Sequence, residues 1–189
     1  EREIGYLQGE AETLDNLGII AKMRGDPDEA ERLHTESLII KREIGNRQGE
    51  AYSLGNLGNV AKDRGNLDEA ARLFEESLTI SREIGDRHSQ SIGLSCLGLI
   101  AQTRGDLEEA ERLHNESLAI SREIGHRPGE ASSLGNLGGI ARTRGDIDEA
   151  ERLYRMVLAI FKEIGHRPGE ATSLNNLGII AETRGDLDE

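Results

Sequence analysis

Between residues 46 and 85 the apolar and small side chains fall in steps of three and four. Ala51, Leu54, Leu57, Gly58, Val60 and Ala61 form one such series, and Leu67, Ala70, Leu73, Phe74, Leu78, Ile80 and Ile84 form a second. That spacing marks one face of an amphipathic helix, and it predicts a helix A over roughly 48–64 and a helix B over roughly 67–84. Gly65, between them, tolerates the left-handed conformation that ends helices. Asn66 reads as the next N-cap, with Glu69 three residues later to complete a capping box. The unit is a helical hairpin with a very short turn, closed by Gly85.

The pattern then returns every 40 residues. Arg-Glu-Ile-Gly stands at 2–5, 42–45, 82–85 and 122–125, with Lys162 replacing the arginine in the last copy. Asn-Leu-Gly stands at 16–18, 56–58, 136–138 and 176–178, with Cys96 replacing the asparagine once, and the cap pairs repeat as Asp26/Glu29, Asp106/Glu109, Asp146/Glu149 and Asp186/Glu189. A fixed period of this length is the signature of a solenoid, in which each unit buries its apolar face only against its neighbours. The expected fold is all-α, about nine helices in one continuous array over 1–189. Its units are 6–45, 46–85, 86–125 and 126–165, preceded by the tail of a helix B (1–5) and followed by helix A of a truncated fifth unit (166–189). Both ends fall inside a unit, which reads as a fragment of a longer protein, and the stripe Leu174, Leu177 and Ile180 is left short of a partner.

Glycine inside helix A costs about 1 kcal/mol relative to alanine. Its return at 18, 58, 98, 138 and 178 therefore implies a packing need, which pairs these glycines with Ala30, Ala70, Ala110 and Ala150 of helix B at a close crossing.

Aromatic residues make up only 3% of the chain, so Leu, Ile and Ala must build the core, a composition suited to packed helices rather than a sheet. The net charge of −13 argues against a nucleic-acid groove or an anionic membrane surface, both of which recruit Lys and Arg. Cys96 is the only cysteine, which excludes an intrachain disulfide and suits a reducing, cytoplasmic setting. There is no signal-peptide pattern and no apolar run long enough to span a membrane. His34 and His114 share a phase with Phe74 and Tyr154, marking a packing position. His88, His126 and His166 have no second ligand at metal spacing. No cofactor, metal or catalytic role is expected.

Leu54, Leu57-Gly58, Gly65, Ala70, Phe74 and Ser77 together resemble the tetratricopeptide repeat, whose usual unit is about 34 residues. The present unit departs from it in being longer, in having Ala61 where a large aromatic is usual, and in ending without the usual proline. Long units of this kind look like those of kinesin light chains and of spindle-orientation adaptors, most closely at the junction His126 to Ala131.

The resemblance implies a right-handed superhelix whose inner wall is made mainly by helix A, and a role as a protein-interaction scaffold. The wall positions it implies are those in phase with Tyr52, Gly55, Asn56, Asn59, Lys62 and Asp63. Asn16, Asn56, Asn136 and Asn176 form a row, one per unit; related families use such a ladder to hold the backbone of an extended peptide. The alternative is that each amide bonds a neighbouring helix and sets the stacking. Specificity falls to phases that vary between units, among them Ser132 with Tyr52, Asn175 with Asp15, Gly55 and Ser95, and Leu99 with Asn59; Arg142 lies at the end of the wall. The three varying phases, led by Glu12, Asp15 and Ile19, contain no Lys or Arg, which disfavours a carboxylate clamp. The arginines at 24, 64, 104, 144 and 184 read as cations satisfying the last carbonyls of helix A rather than as an anion column. Two other roles stay open: a spacer that self-associates end to end through its uncapped helices, and a sensor arm of a larger protein.

Overall fold

The computed structural model describes residues 2–185, with side chains from Ile4 onward. Among the described residues there are nine helices and no strand: α1 (Arg2–Met23), α2 (Pro27–Glu43), α3 (Arg47–Asp63), α4 (Leu67–Glu83), α5 (Arg87–Thr103), α6 (Leu107–Glu123), α7 (Arg127–Arg144), α8 (Ile147–Glu163) and α9 (Arg167–Arg184). Helices A and B of the second unit lie within a residue of their expected limits.

Glycine in the left-handed region closes each turn, as at Gly65 with φ 78°. The cap that follows accepts the expected backbone hydrogen bond: the Asp26 carboxylate accepts from the Glu29 N–H at 3.1 Å, and Asp106 and Asp146 repeat it at 3.1 and 3.2 Å. The pair Asp186/Glu189 lies outside the described residues. Only half of the capping box forms. Glu29, Glu69, Glu109 and Glu149 instead turn outward and accept two hydrogen bonds each from the arginine three residues on, at 2.6–2.8 Å.

Residues 2–5 are not the tail of a separate helix. α1 runs through Gly5, which keeps a helical φ, whereas Gly45, Gly85, Gly125 and Gly165 all turn left-handed. The cap position after those glycines holds Asn46, Asp86, His126 or His166; after Gly5 it holds Tyr6, which has no acceptor to cap a new helix, so the chain continues helical.

The residues group into two compact units, Glu1–Gly93 and Leu94–Glu189, the division falling within α5. In the first, α2 packs between α1 and α3, and α4 packs on α3; α2 and α4 meet through the Arg42–Glu76 ion pair. In the second, α7 packs between α6 and α8, and α9 on α8. Leu134, Ala150, Leu153, Tyr154, Ile160 and Ile180 form the centre of the second unit's core.

Four of the five helix A glycines do mark close crossings, with a different partner from the one expected, whereas an added Cβ at Gly178 would meet nothing within 4 Å. A Cβ added at Gly18 would lie 2.7 Å from the His34 ring, at Gly58 2.8 Å from Phe74, at Gly98 2.7 Å from His114, and at Gly138 2.9 Å from Tyr154. The alanines at 30, 70, 110 and 150 are fully buried but sit one helical turn away from that contact.

The helix A arginines also find other partners. Arg64 donates to Asp28 and to Glu31 (2.5 Å), Arg144 to Glu111 (2.5 Å) and the Leu107 carbonyl (3.3 Å), and Arg184 to Asp148 and Glu151. Each joins the end of helix A to the start of the preceding helix B instead of covering its own last carbonyls.

Candidate functional site

On α3 the positions expected to line the wall differ in exposure. Tyr52 is 53% exposed, Asn56, Asn59 and Lys62 are half-buried, and exposed Asp63 accepts from Lys22 of α1 at 3.0 Å. Ile92 of α5, in phase with Tyr52, is 49% exposed. In the second unit Ser132, Arg142 and Asn175 are exposed, and Ser95, Leu99, Asn136 and Asn176 are half-buried.

The asparagines differ from one another. Asn16 is exposed. The Asn56 amide nitrogen is buried without a hydrogen-bond partner. The Asn136 amide nitrogen lies 3.5 Å from Nδ1 of His114 on α6, a long contact that leans this side chain toward the framework. His114 is itself fully buried, its Nε2 has no partner, and burial pushes its imidazole pKa down to about 4. It is therefore neutral near pH 7.

Asp15 is not a wall residue. It is 2% exposed and sits among three helices. One carboxylate oxygen lies 2.8 Å from His34 Nδ1; the other accepts from the Lys41 ammonium; and the Ser53 hydroxyl lies 3.1–3.2 Å from both. Lys41 also donates to Ser53 at 3.0 Å, and Ser37 donates to the Ala11 carbonyl at 2.8 Å. Burial alone would raise the Asp15 carboxyl, but the hydrogen bonds and charge supplied by His34 and Lys41 outweigh it and hold the group below its ordinary range. Behind the wall, the Lys41 ammonium stands 5.3 Å from the Tyr52 ring centroid, close enough for a cation–π contact. Forty residues on, the cluster's positions hold Gly55, Phe74, Ser81 and Gly93, so it is not repeated at the next junction between units.

Sequence reasoning missed a pair of grooves on the other side of helix A, roughly opposite Tyr52, Asn56 and Asn59 around the α3 axis. One, of about 410 Å³, lies between α2 and α4 and is floored by Leu54, Leu57, Val60 and Ala61 of α3. Its counterpart, of about 330 Å³, lies between α6 and α8 over Leu134, Leu137, Ile140 and Ala141 of α7. The two are lined at the same repeat positions, 80 residues apart, with arginines and glutamates on the rims.

The model of the tetratricopeptide repeat matches residues 9–83, 89–163 and 140–189. The chain belongs to the tetratricopeptide repeat family. Its fold is that of the helical-repeat solenoids, as three crystal structures show. BtubC (BKLC) from P. vanneervenii is 22% identical, with a TM-score of 0.81 over 99% of this chain and 85% of that one. A Podosopora anserina chain described as a kinesin light chain with nearly identical TPR-like repeats is 20% identical, with a TM-score of 0.74 over 95% and 89%. Aspartyl phosphate phosphatase F from Bacillus subtilis is 12% identical, with a TM-score of 0.88 over 95% of this chain and 47% of that one. Among curated proteins, no sequence match is found.

Within the described residues of this tetratricopeptide repeat chain, no group of three His, Cys, Asp or Glu side chains is placed to hold a metal ion, and no helix is long and apolar enough to cross a membrane.

Proposed function

We propose that this chain is a protein-interaction scaffold that acts by binding alone, holding a peptide segment of a partner against the asparagine row of its A helices. The observation that carries the reading is in the compact half Glu1–Gly93, where Tyr52 and Ile92, each about half exposed, stand in phase on successive A helices, with Asn16 and Asn56 in phase beside them. Apolar contacts interleaved with amide groups are the composition of a peptide-binding wall. Asn136, leaning on His114, contributes less. Membership of the family and the resemblance to long-unit interaction arrays point the same way.

The test is capture from a displayed random-peptide library, run in parallel with an Asn56→Ala/Asn136→Ala variant whose helical circular dichroism is unchanged. Peptides held by the parent and lost by the variant support the wall as the site; identical retention by both proteins assigns the asparagines to stacking and refutes the ladder.

A second reading, self-association, is favoured by the exposure of Leu17 (46%), Ile20 (42%) and Met23 (82%) on α1 and of Leu174 (54%) on α9. Sedimentation velocity over a range of concentrations decides it: a single monomeric species throughout excludes this role.

A further inference from the structure

The two grooves between B helices are lined alike except at Thr35/Asn115, Val60/Ile140, Asn66/Asp146 and Glu76/Met156, and the last of these changes the charge between the rim arginines. In the first, Glu76 of α4 bridges the cleft: one carboxylate oxygen accepts from Arg42 of α2 at 2.5 Å and the other from Arg72 of α4 at 3.2 Å. The residues in phase with Glu76 are Glu36, Glu116 and, in the last B helix, Met156. The groove between α6 and α8 therefore keeps both arginines, as Arg122 and Arg152, and lacks the carboxylate that would join them.

What remains of their bonding is incomplete. Arg122 donates through Nε to Glu130 at 2.9 Å, and its two terminal nitrogens make no hydrogen bond among the described residues. Arg152 donates to Glu149 through Nε and Nη2, both at 2.6 Å, while Nη1 meets only the Met156 sulfur at 3.4 Å, a weak acceptor. Both side chains are about half exposed, so a ligand reaches them from solvent. The guanidinium fork favours a carboxylate over other acceptors. Directly beneath lies the apolar floor, in a cavity whose 330 Å³ falls at the lower end of the range of about 300–1,000 Å³ that holds small ligands.

We propose that this groove binds a peptide segment in which a carboxylate side chain stands beside a large aliphatic one. The carboxylate takes, between Arg122 and Arg152, the place that Glu76 holds between Arg42 and Arg72, and the aliphatic side chain rests on Leu134, Leu137 and Ile140. The first groove supplies its own carboxylate and is closed to the same ligand. This site is distinct from the asparagine row and does not depend on it.

The probe is a fluorescein-labelled, Gly/Ser-flanked peptide with Glu-Leu at its centre, followed by fluorescence anisotropy against the whole chain. Saturable binding with Kd below about 1 mM is expected, weakened at least about tenfold when Gln-Leu or Glu-Ser replaces Glu-Leu. Met156→Glu, which rebuilds the internal bridge, loses binding by a similar factor, whereas Met156→Leu retains it. Glu76→Met opens the first groove and raises the stoichiometry from one site to two. The Asn56→Ala/Asn136→Ala variant binds as the parent does, so failure of the wall reading leaves this result unchanged. No saturable binding by the parent, equal binding of the Gln-Leu peptide, or indifference to Met156→Glu in a protein of unchanged helicity overturns the proposal.

Discussion

Gly138→Ala and Gly178→Ala make the same chemical change at the same repeat position, and the structure gives them opposite signs. In a helix interior the exchange of glycine for alanine is worth up to about 1 kcal/mol in favour of folding. At Gly178 the new methyl has nothing within 4 Å, so that gain is realised and the urea midpoint rises. At Gly138 the methyl lies 2.9 Å from Tyr154 Cε1 and 3.1 Å from Cδ1, closer than carbon atoms pack. Tyr154 is 4% exposed, and its ring cannot turn away without displacing the core around Leu153 and Val157. Overpacking of this kind costs about 1–3 kcal/mol; less the helical gain, Gly138→Ala destabilises by up to about 2 kcal/mol. Urea unfolding followed by circular dichroism, with m unchanged, reads both. In a double-mutant cycle, Tyr154→Leu should recover at least about 0.5 kcal/mol of the Gly138→Ala loss, as expected for residues in contact. Equal upward shifts of the two midpoints would refute a tight crossing at Gly138.

Three further outcomes follow from the buried polar groups. Asp15→Ala leaves Lys41 and His34 buried without their acceptor and costs about 3–5 kcal/mol in urea unfolding, while Asp15→Gly/His34→Phe/Lys41→Ser, which copies the second repeat, restores stability to near the parent's. Because the folded Asp15 carboxyl is held below its unfolded value, its contribution is complete above about pH 4 and disappears as pH falls through the folded value; an Asp15→Asn variant shows a shallower acid loss than the parent below about pH 4. His114 titrates in the opposite sense to a paired histidine: its folded pKa of about 4 lies below an unfolded value near 6.5, so the unfolded chain binds the extra proton and stability is lost as pH is lowered across that window. His114→Phe, the residue type at position 74, removes that slope from the urea midpoint measured over the same range.

The 40-residue period, the apolar stripes and the glycine-plus-cap turns were legible in the sequence because each depends on residues within one turn of the chain: a 3.6-residue periodicity, a left-handed glycine, an acceptor three residues before an amide. The same locality explains why helix limits came out within a residue. What the tertiary structure decided are partnerships between helices. Asp15 shares a phase with Gly55 and Ser95, yet it is buried because its partners arrive from 19, 26 and 38 residues away. Arg64 reaches back 33 and 36 residues for Glu31 and Asp28 rather than to its own carbonyls. The glycines meet His, Phe and Tyr instead of alanine because the crossing point sets which helix B side chain lies over them. Whether Glu76 bridges a groove, and Met156 leaves one open, depends on how far apart two B helices rest on a shared helix A. Periodicity fixes which face of a helix is buried; the distance and angle at which packed helices meet fix what each buried or rim side chain touches.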